Sequence, residues 1–222
     1  MHYAKNNNAW MRKKMISDRD YFLIDAPGNP DTNPDEVNII GHFPTLQPLY
    51  LEIGSGKGEF ISAYAVKHPD YNIIGMEAAH KRIDNILKKI SPITHPNVRL
   101  MRLLVDAGIS KLFAPESVSG VFIQHPDPWP KRKHHRRRLI QADFLNALAH
   151  IMRPDALVQI STDHVGYANW ILEEFIASPC FVSVYDDPLR TQSTFEDHIT
   201  TWFEAEQRRQ GFDPHFMLFK RI

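Results

Sequence analysis

Cysteine is almost missing from this sequence. Cys180 is the only one in 222 residues, so no intrachain disulfide can form and a reducing compartment is the simple reading. An excess of charge is missing too: 26 Lys and Arg face 26 Asp and Glu. No global field therefore draws the chain to nucleic acid or to a membrane, and any such attraction has to come from local clustering. No apolar run reaches the roughly 18 residues that a membrane-spanning helix needs. The basic cluster Arg12, Lys13 and Lys14 is not followed by the apolar core of a signal peptide, so the expected location is cytoplasmic. The 12 histidines include no His-Glu-x-x-His pair and no Cys-rich spacing accompanies them, so no metal site is expected. Internal repeats and low-complexity tracts are absent as well.

What is present is an ordinary globular composition, 43% hydrophobic and 11% aromatic, at a length that suits one generous α/β domain. Residues 1–45 are polar and turn-rich through Gly28-Asn29-Pro30, and they read as a partly flexible extension, with the domain proper over 46–222. From about residue 48, short apolar runs alternate with helical patterns, the signature of a parallel sheet with crossover helices. The runs predict strands over 48–53, 71–76, 98–105, 118–124 and 156–161, with a last strand over 215–219. The intervening periodicity predicts helices over 59–67, 80–90, 137–152 and 165–177. In the third of these, Leu139, Ala142, Phe144, Leu145, Leu148 and Ile151 share a stripe, and Pro154 ends it.

The first strand runs into Glu52-Ile53-Gly54-Ser55-Gly56-Lys57-Gly58, which opens a helix. Glycines at alternating positions permit a tight turn and let a ligand approach the backbone at the carboxyl end of the sheet. The spacing is not the G-x-G-x-x-G of dinucleotide sites, and Lys57-Gly58 is not the Gly-Lys-Ser/Thr ending of a phosphate-binding P-loop. Glu52 would repel a pyrophosphate but accept from an ammonium group. Glu77, at the end of the second strand and about 20 residues past the loop, is placed for ribose hydroxyls. Asp106, past the third, can accept from the amine of adenine. Each acid alone is equally compatible with a helix cap; together they describe a nucleoside site with no cation aimed at phosphate, which S-adenosyl-L-methionine fits.

The fourth strand leads into His125-Pro126-Asp127-Pro128-Trp129. Two prolines fix φ on either side of Asp127, so its carboxylate sits on a stiff segment, a property that suits a catalytic group and equally a rigid turn. Lys131-Arg132-Lys133-His134-His135-Arg136-Arg137-Arg138 follows directly. Six Lys and Arg in eight residues usually make a solvated face, yet this run lies inside the folded region beside the stiff loop, which argues for a polyanionic substrate. Trp129 suits stacking on a base and equally packing of the loop.

With these residues assembled, the sequence resembles the bacterial tRNA (guanine-N7-)-methyltransferase family from about Leu51 onward. The resemblance rests most specifically on Pro126-Asp127-Pro128-Trp129-Pro130-Lys131 with His134-His135-Arg136-Arg137-Arg138-Leu139. It implies a Rossmann-like class I methyltransferase fold, a mostly parallel central sheet with helices on both faces. It further implies methyl transfer from S-adenosyl-L-methionine to N7 of guanosine at position 46 in the tRNA variable loop. By that resemblance Glu52, Gly54, Gly56, Gly58, Glu77, Asp106 and Asp127 bind the cofactor, with Asp127 catalytic. Lys131, Asp163, Thr201, Trp202, Phe203 and Glu204 bind the substrate, and Lys133, His134, His135, Arg136, Arg137 and Arg138 contact the RNA. The late Thr-x-Phe-Glu element is taken as Thr201–Glu204; Ser193-Thr194-Phe195-Glu196 is a near copy. His125 departs from the aromatic or apolar residue commoner there. No protein partner is implied, and the oligomeric state stays open. The alternatives are a methyltransferase of another RNA or of a small molecule, a noncatalytic RNA-binding module, and a nicotinamide-dependent oxidoreductase. None of the seven tyrosines is followed four residues later by lysine, and the glycine spacing is wrong for the last of these.

Overall fold

The computed structural model describes residues 17–24, 39–193, 195 and 197–222. Arg12, Lys13, Lys14, Gly28-Asn29-Pro30, Thr194 and Glu196 lie outside the described residues. One eight-stranded sheet organises the chain, in the order β1-β4-β3-β2-β5-β6-β8-β7. The strands are β1 (Leu23–Ile24), β2 (Leu49–Ile53), β3 (Asn72–Met76), β4 (Val98–Met101), β5 (Val118–Gln124), β6 (Met152–Thr162), β7 (Phe181–Ser183) and β8 (His215–Arg221). β1 to β6 pair in parallel, while β8 runs antiparallel to both β6 and β7. Every residue of β3, Asn-Ile-Ile-Gly-Met, is buried, as expected for a central parallel strand covered on both faces.

The helices are α1 (Asp18–Phe22), α2 (Glu59–Lys67), α3 (His80–Leu87), α4 (Ala142–Ile151), α5 (Val165–Ala177) and α6 (Trp202–Arg209). One face of the sheet carries Phe22, Phe60, Ile61, Tyr64, Ile83 and Ile86, from α1, α2 and α3. The other carries Ile109, Phe144, Leu148, Tyr167 and Phe175, with α4 and α5 laid over it. The strand order reverses between β2 and β5: β3, β4 and β1 lie to one side, β6, β8 and β7 to the other. A crevice opens at the carboxyl ends of the strands at such a switch point. Among the described residues no helix is long and apolar enough to cross a membrane.

Three sequence expectations shift. Within the stretch read as preceding the domain, Leu23 and Ile24 join the sheet, Ile24 pairing with Met101, and Phe22 of α1 is fully buried. The third strand stops at Met101 rather than 105, because Leu104 turns out to solvent, 81% exposed. The helix expected over 137–152 is two pieces: a 3₁₀ turn, Arg132–Arg137, and then α4 from Ala142. Ile140 drops into the core between them, and a helix ridge cannot point there while keeping the Phe144–Ile151 stripe on the sheet. α4 also ends at Ile151, before Pro154, and β6 starts at once.

Candidate active site

The glycine loop is shaped by its backbone. Gly54, Gly56 and Gly58 have φ of 81°, 55° and 76°, a region that an L-side chain occupies only with strain. The N–H groups of Gly54 and Ser55 both donate to the Met76 carbonyl, at 2.9 and 3.0 Å, which folds the loop over the end of β3. Glu77 locks it there, accepting from Gly56 N–H at 2.9 Å through Oε2 and from Ala79 N–H at 2.9 Å through Oε1. Arg82 Nη1 stands 3.5 Å from the same Oε2. At Gly56 an added Cβ would find only the Gly54 carbonyl, at 3.9 Å, so the loop presents bare backbone to the space above it.

That space is a cleft of about 360 Å³ bounded by the glycine loop, the β5 exit, Asp163 and the start of α6. Its charged lining is four carboxylates, Glu52, Glu59, Asp127 and Asp163, and two cations, Lys57 and Arg82. Both cations are engaged: Lys57 Nζ lies 4.4 Å above the Trp202 ring, and Arg82 faces Glu77. A pyrophosphate finds little there; an ammonium or sulfonium finds acceptors. Glu52 is the sharpest of these. It is 3% exposed, its Oε2 has no hydrogen-bond partner, and its pKa is pushed up to about 7. Burial is the main cause, Ser55 opposes it, and the neighbouring Glu77 adds to it. A buried acceptor without a donor is costly unless a ligand supplies one.

Across the cleft, the Pro-Asp-Pro segment is held at both ends in strained backbone: His125 has φ 47° and Trp129 φ 43°. Each costs on the order of 1–3 kcal/mol and persists only where surrounding contacts fix it. At the first end His125 N–H donates to the Ser161 carbonyl at 2.8 Å, and its Nδ1 lies 3.1 Å from Asp163 Oδ1. That hydrogen bond, against the opposing effect of burial, holds the Asp163 carboxyl below the usual carboxylate range. The His125 ring also meets Phe203 edge to face, centroids 4.9 Å apart. At the second end Trp129 is half-buried under the Arg137 guanidinium at 5.0 Å and the His134 ring at 5.8 Å. Between them Asp127 is exposed to the cleft.

Of the expected site residues, Glu52, Gly54, Gly56, Asp127, Asp163, Thr201, Trp202 and Phe203 line this one cleft. Others stand apart. Gly58 caps α2, with a built Cβ only 2.7 Å from Ile86. Asp106 is exposed, caps the 3₁₀ turn Ala107–Lys111 through Gly108 N–H at 2.7 Å, and lies five residues past the end of β4. Lys131 precedes the basic 3₁₀ turn at the surface.

Two expectations need correction. Glu204 does not line the cleft: it is 1% exposed, with Oε1 3.1 Å from Arg208 Nε and Oε2 2.9 Å from His198 Nε2. Burial alone would raise its pKa, but His198 and then Arg208 outweigh it and hold the carboxyl low. Arg138 does not share the basic surface: it is 4% exposed and turned inward, whereas Lys133, Arg136 and Arg137 are exposed and His134 and His135 partly so.

Sequence reasoning missed Ser55, Lys57, Glu59, Arg82 and Gln124, all in the cleft lining. It also missed the helix α6, whose start forms one wall. Its signal was there: Thr201-x-x-Glu204 is capping-box spacing, and Glu204 N–H does donate to Thr201 Oγ1 at 3.2 Å. α6 is tied to the glycine loop by Trp202 N–H donating to Glu59 Oε2 at 2.6 Å.

Comparison with known proteins agrees with this geometry. A family model described as "Putative methyltransferase" matches residues 46–216. A tRNA (guanine-N(7)-)-methyltransferase of Lacticaseibacillus casei (strain BL23) is 36% identical over 209 residues, covering 92% of this chain and 92% of that protein. Its namesake in Latilactobacillus sakei subsp. sakei (strain 23K) is 35% identical over 191 residues, covering 82% and 88%. Among solved structures, the 16S rRNA methyltransferase KamB superposes with a TM-score of 0.55 at 14% identity, covering 79% of this chain and 88% of that one. The aminoglycoside resistance methyltransferase NpmB1 gives 0.52 at 12% identity, covering 85% and 93%. At such identities the likeness shows a shared fold.

Proposed function

Because the chain belongs to the tRNA (guanine-N(7)-)-methyltransferase family, we propose that it transfers a methyl group from S-adenosyl-L-methionine to N7 of a guanosine in tRNA, at position 46 of the variable loop. The observation that carries the reading is the cleft at the switch point, where an unpartnered buried carboxylate, Glu52, and the stiffly held Asp127 share one space. The work takes place in the cytoplasm, where its RNA substrate is.

The residues present fit the donor. Glu52 supplies the acceptor that its ammonium group needs, and the bare backbone of Gly54 and Gly56 lets it approach closely. Glu77 supports that loop through Gly56; its assignment to the ribose hydroxyls, like that of Asp106 to adenine, rests on the family resemblance. When bound, the donor supplies a methyl group made electrophilic by a sulfonium.

Guanine N7 carries an in-plane lone pair and no proton, so no side chain has to act as a base. The protein's task is alignment, which accounts for a large share of rate enhancement when two reactants are held in near-attack geometry. Asp127, fixed between two prolines, orients the purine and offsets the positive charge that grows on it. Asp163, kept ionised by His125, and Thr201 hold the base edge, with Trp202 and Phe203 as its apolar walls. Outside the cleft, Lys133, Arg136 and Arg137 meet phosphates, which position an RNA without reading its sequence.

Incubation with bulk unmodified tRNA and methyl-labelled donor, followed by nucleoside mapping, tests this directly. N7-methylguanosine at a single variable-loop position is expected; label in another nucleoside, or none, refutes it.

A further inference from the structure

The basic run ends in a side chain that points the opposite way from its neighbours. Arg138 is buried; its Nε donates to the Pro128 carbonyl at 3.0 Å. Its guanidinium lies over the rings of Tyr167 and Trp170 on α5, at 5.0 and 4.8 Å. Among the described residues it forms no ion pair with a carboxylate, so a desolvated cation is held by one carbonyl and two aromatic faces. The same two rings grip the chain again two residues on. Tyr167 Oη accepts from Ile140 N–H at 3.4 Å, and Trp170 Nε1 donates to the Ile140 carbonyl at 2.8 Å. Arg138 and Ile140 are thereby fastened to α5, and Pro128 is fastened to Arg138.

Pro128 follows Asp127 directly. φ is fixed at Pro126 and Pro128, and the following proline confines Asp127 to extended backbone, so the anchors at the two ends of the segment set where the Asp127 backbone lies. The His125 end is tied to Ser161 and Asp163. The Trp129 end, at φ 43°, is tied through Arg138.

We propose that Arg138 is a positioning residue: clamped between Pro128 and α5, it fixes the Asp127 carboxylate where guanine is methylated. The proposal rests on the reading of this cleft as a methyltransferase site with Asp127 at the purine. Arg138 acts on the geometry of catalysis and contributes nothing to phosphate binding, in contrast to the exposed arginines beside it in sequence. A lysine cannot replace it, since a point-like ammonium cannot lie flat between two rings while donating in the plane to a carbonyl.

The test compares kcat, KM for tRNA, the salt dependence of KM, donor affinity and melting temperature for wild type, Arg138→Lys and Arg138→Ala. A displacement of Asp127 of about an ångström predicts a fall in kcat of roughly 100-fold, with KM for tRNA, its salt slope and donor affinity unchanged. Added guanidinium ion should restore part of the kcat of Arg138→Ala and none of the kcat of Asp127→Ala. A raised KM with a shallower salt slope and intact kcat would make Arg138 a phosphate contact and overturn the proposal, as would full kcat in either folded variant. Should Arg138→Ala melt below the assay temperature, Arg138→Lys decides: lost kcat supports the proposal, and full kcat overturns it. Wild-type protein that methylates no guanine overturns both this inference and the function beneath it; active wild type with unaffected variants overturns this one alone.

Discussion

Replacing Glu52 by Met separates two effects that the native residue sets against each other. Its carboxyl is buried and its pKa moves from an ordinary 4.5 to about 7. A carboxyl whose folded pKa exceeds its unfolded value binds more protons folded than unfolded between the two. Stability is therefore undiminished below about pH 4.5 and falls as pH rises toward 7. The displacement corresponds to roughly 3 kcal/mol lost above pH 7. Glu52→Met, similar in length and uncharged, removes that penalty. In a domain of this size the ligand-free variant should melt on the order of 5–10 °C higher than wild type at pH 8, and the advantage should vanish near pH 4.

Donor binding should move the other way. Loss of a charge-assisted hydrogen bond to the donor's ammonium weakens affinity roughly ten- to hundredfold. Wild-type affinity should rise about tenfold per pH unit up to about 7, as Glu52 ionises, and level off above it. The variant should show no such rise. Differential scanning fluorimetry at pH 4 and pH 8, with titration calorimetry of S-adenosylhomocysteine across pH 6–8, reads both effects. A variant less stable than wild type at pH 8, or one that binds with undiminished affinity, refutes the assignment of Glu52 as an uncompensated acceptor.

Three further outcomes are expected. Asp127→Ala should abolish methyl transfer while calorimetry shows donor affinity largely retained; loss of both together would make Asp127 a cofactor ligand only. Gly58→Ala should cost about 2–5 kcal/mol in urea denaturation, combining left-handed backbone strain with overpacking, because its Cβ would fall 2.7 Å from Ile86; an unchanged midpoint contradicts the packing described. Alanine at both Lys133 and Arg136 should raise KM for tRNA and reduce the slope of log affinity against log salt by roughly 1–2, and an unaltered slope would remove these residues from the RNA contact.

Much of the sheet was legible because β2, β3 and β5 are short apolar runs bounded by turn residues, and central parallel strands leave that trace. The glycine loop and Glu52 were legible for the same reason: a sharp turn at a strand end needs residues that a plain strand or helix does not use. The inward turn of Arg138 was not, since a run of like charges carries no mark of which member is buried; only the rings of α5, some 30 residues on, decide that. Nor was the internal role of Glu204, because its partners His198 and Arg208 flank it with no pattern that separates a buried acid from a ligand-binding one. β1, two residues long, is too short for alternation to show, and Leu103-Leu104-Val105 prolonged an apolar run beyond the point where backbone pairing stops.

The sheet order has a kinetic corollary. β8 comes after every other described strand along the chain yet sits between β6 and β7, and among the described residues β7 pairs with no strand except β8. A nascent polypeptide can assemble β1 to β6 as it emerges, but this flank cannot close until residues 215–221 arrive, and until then β6 presents an open, apolar hydrogen-bonding rim. Such a rim invites association between chains, so the interval before the interior slot is filled is when this molecule is most prone to misassembly.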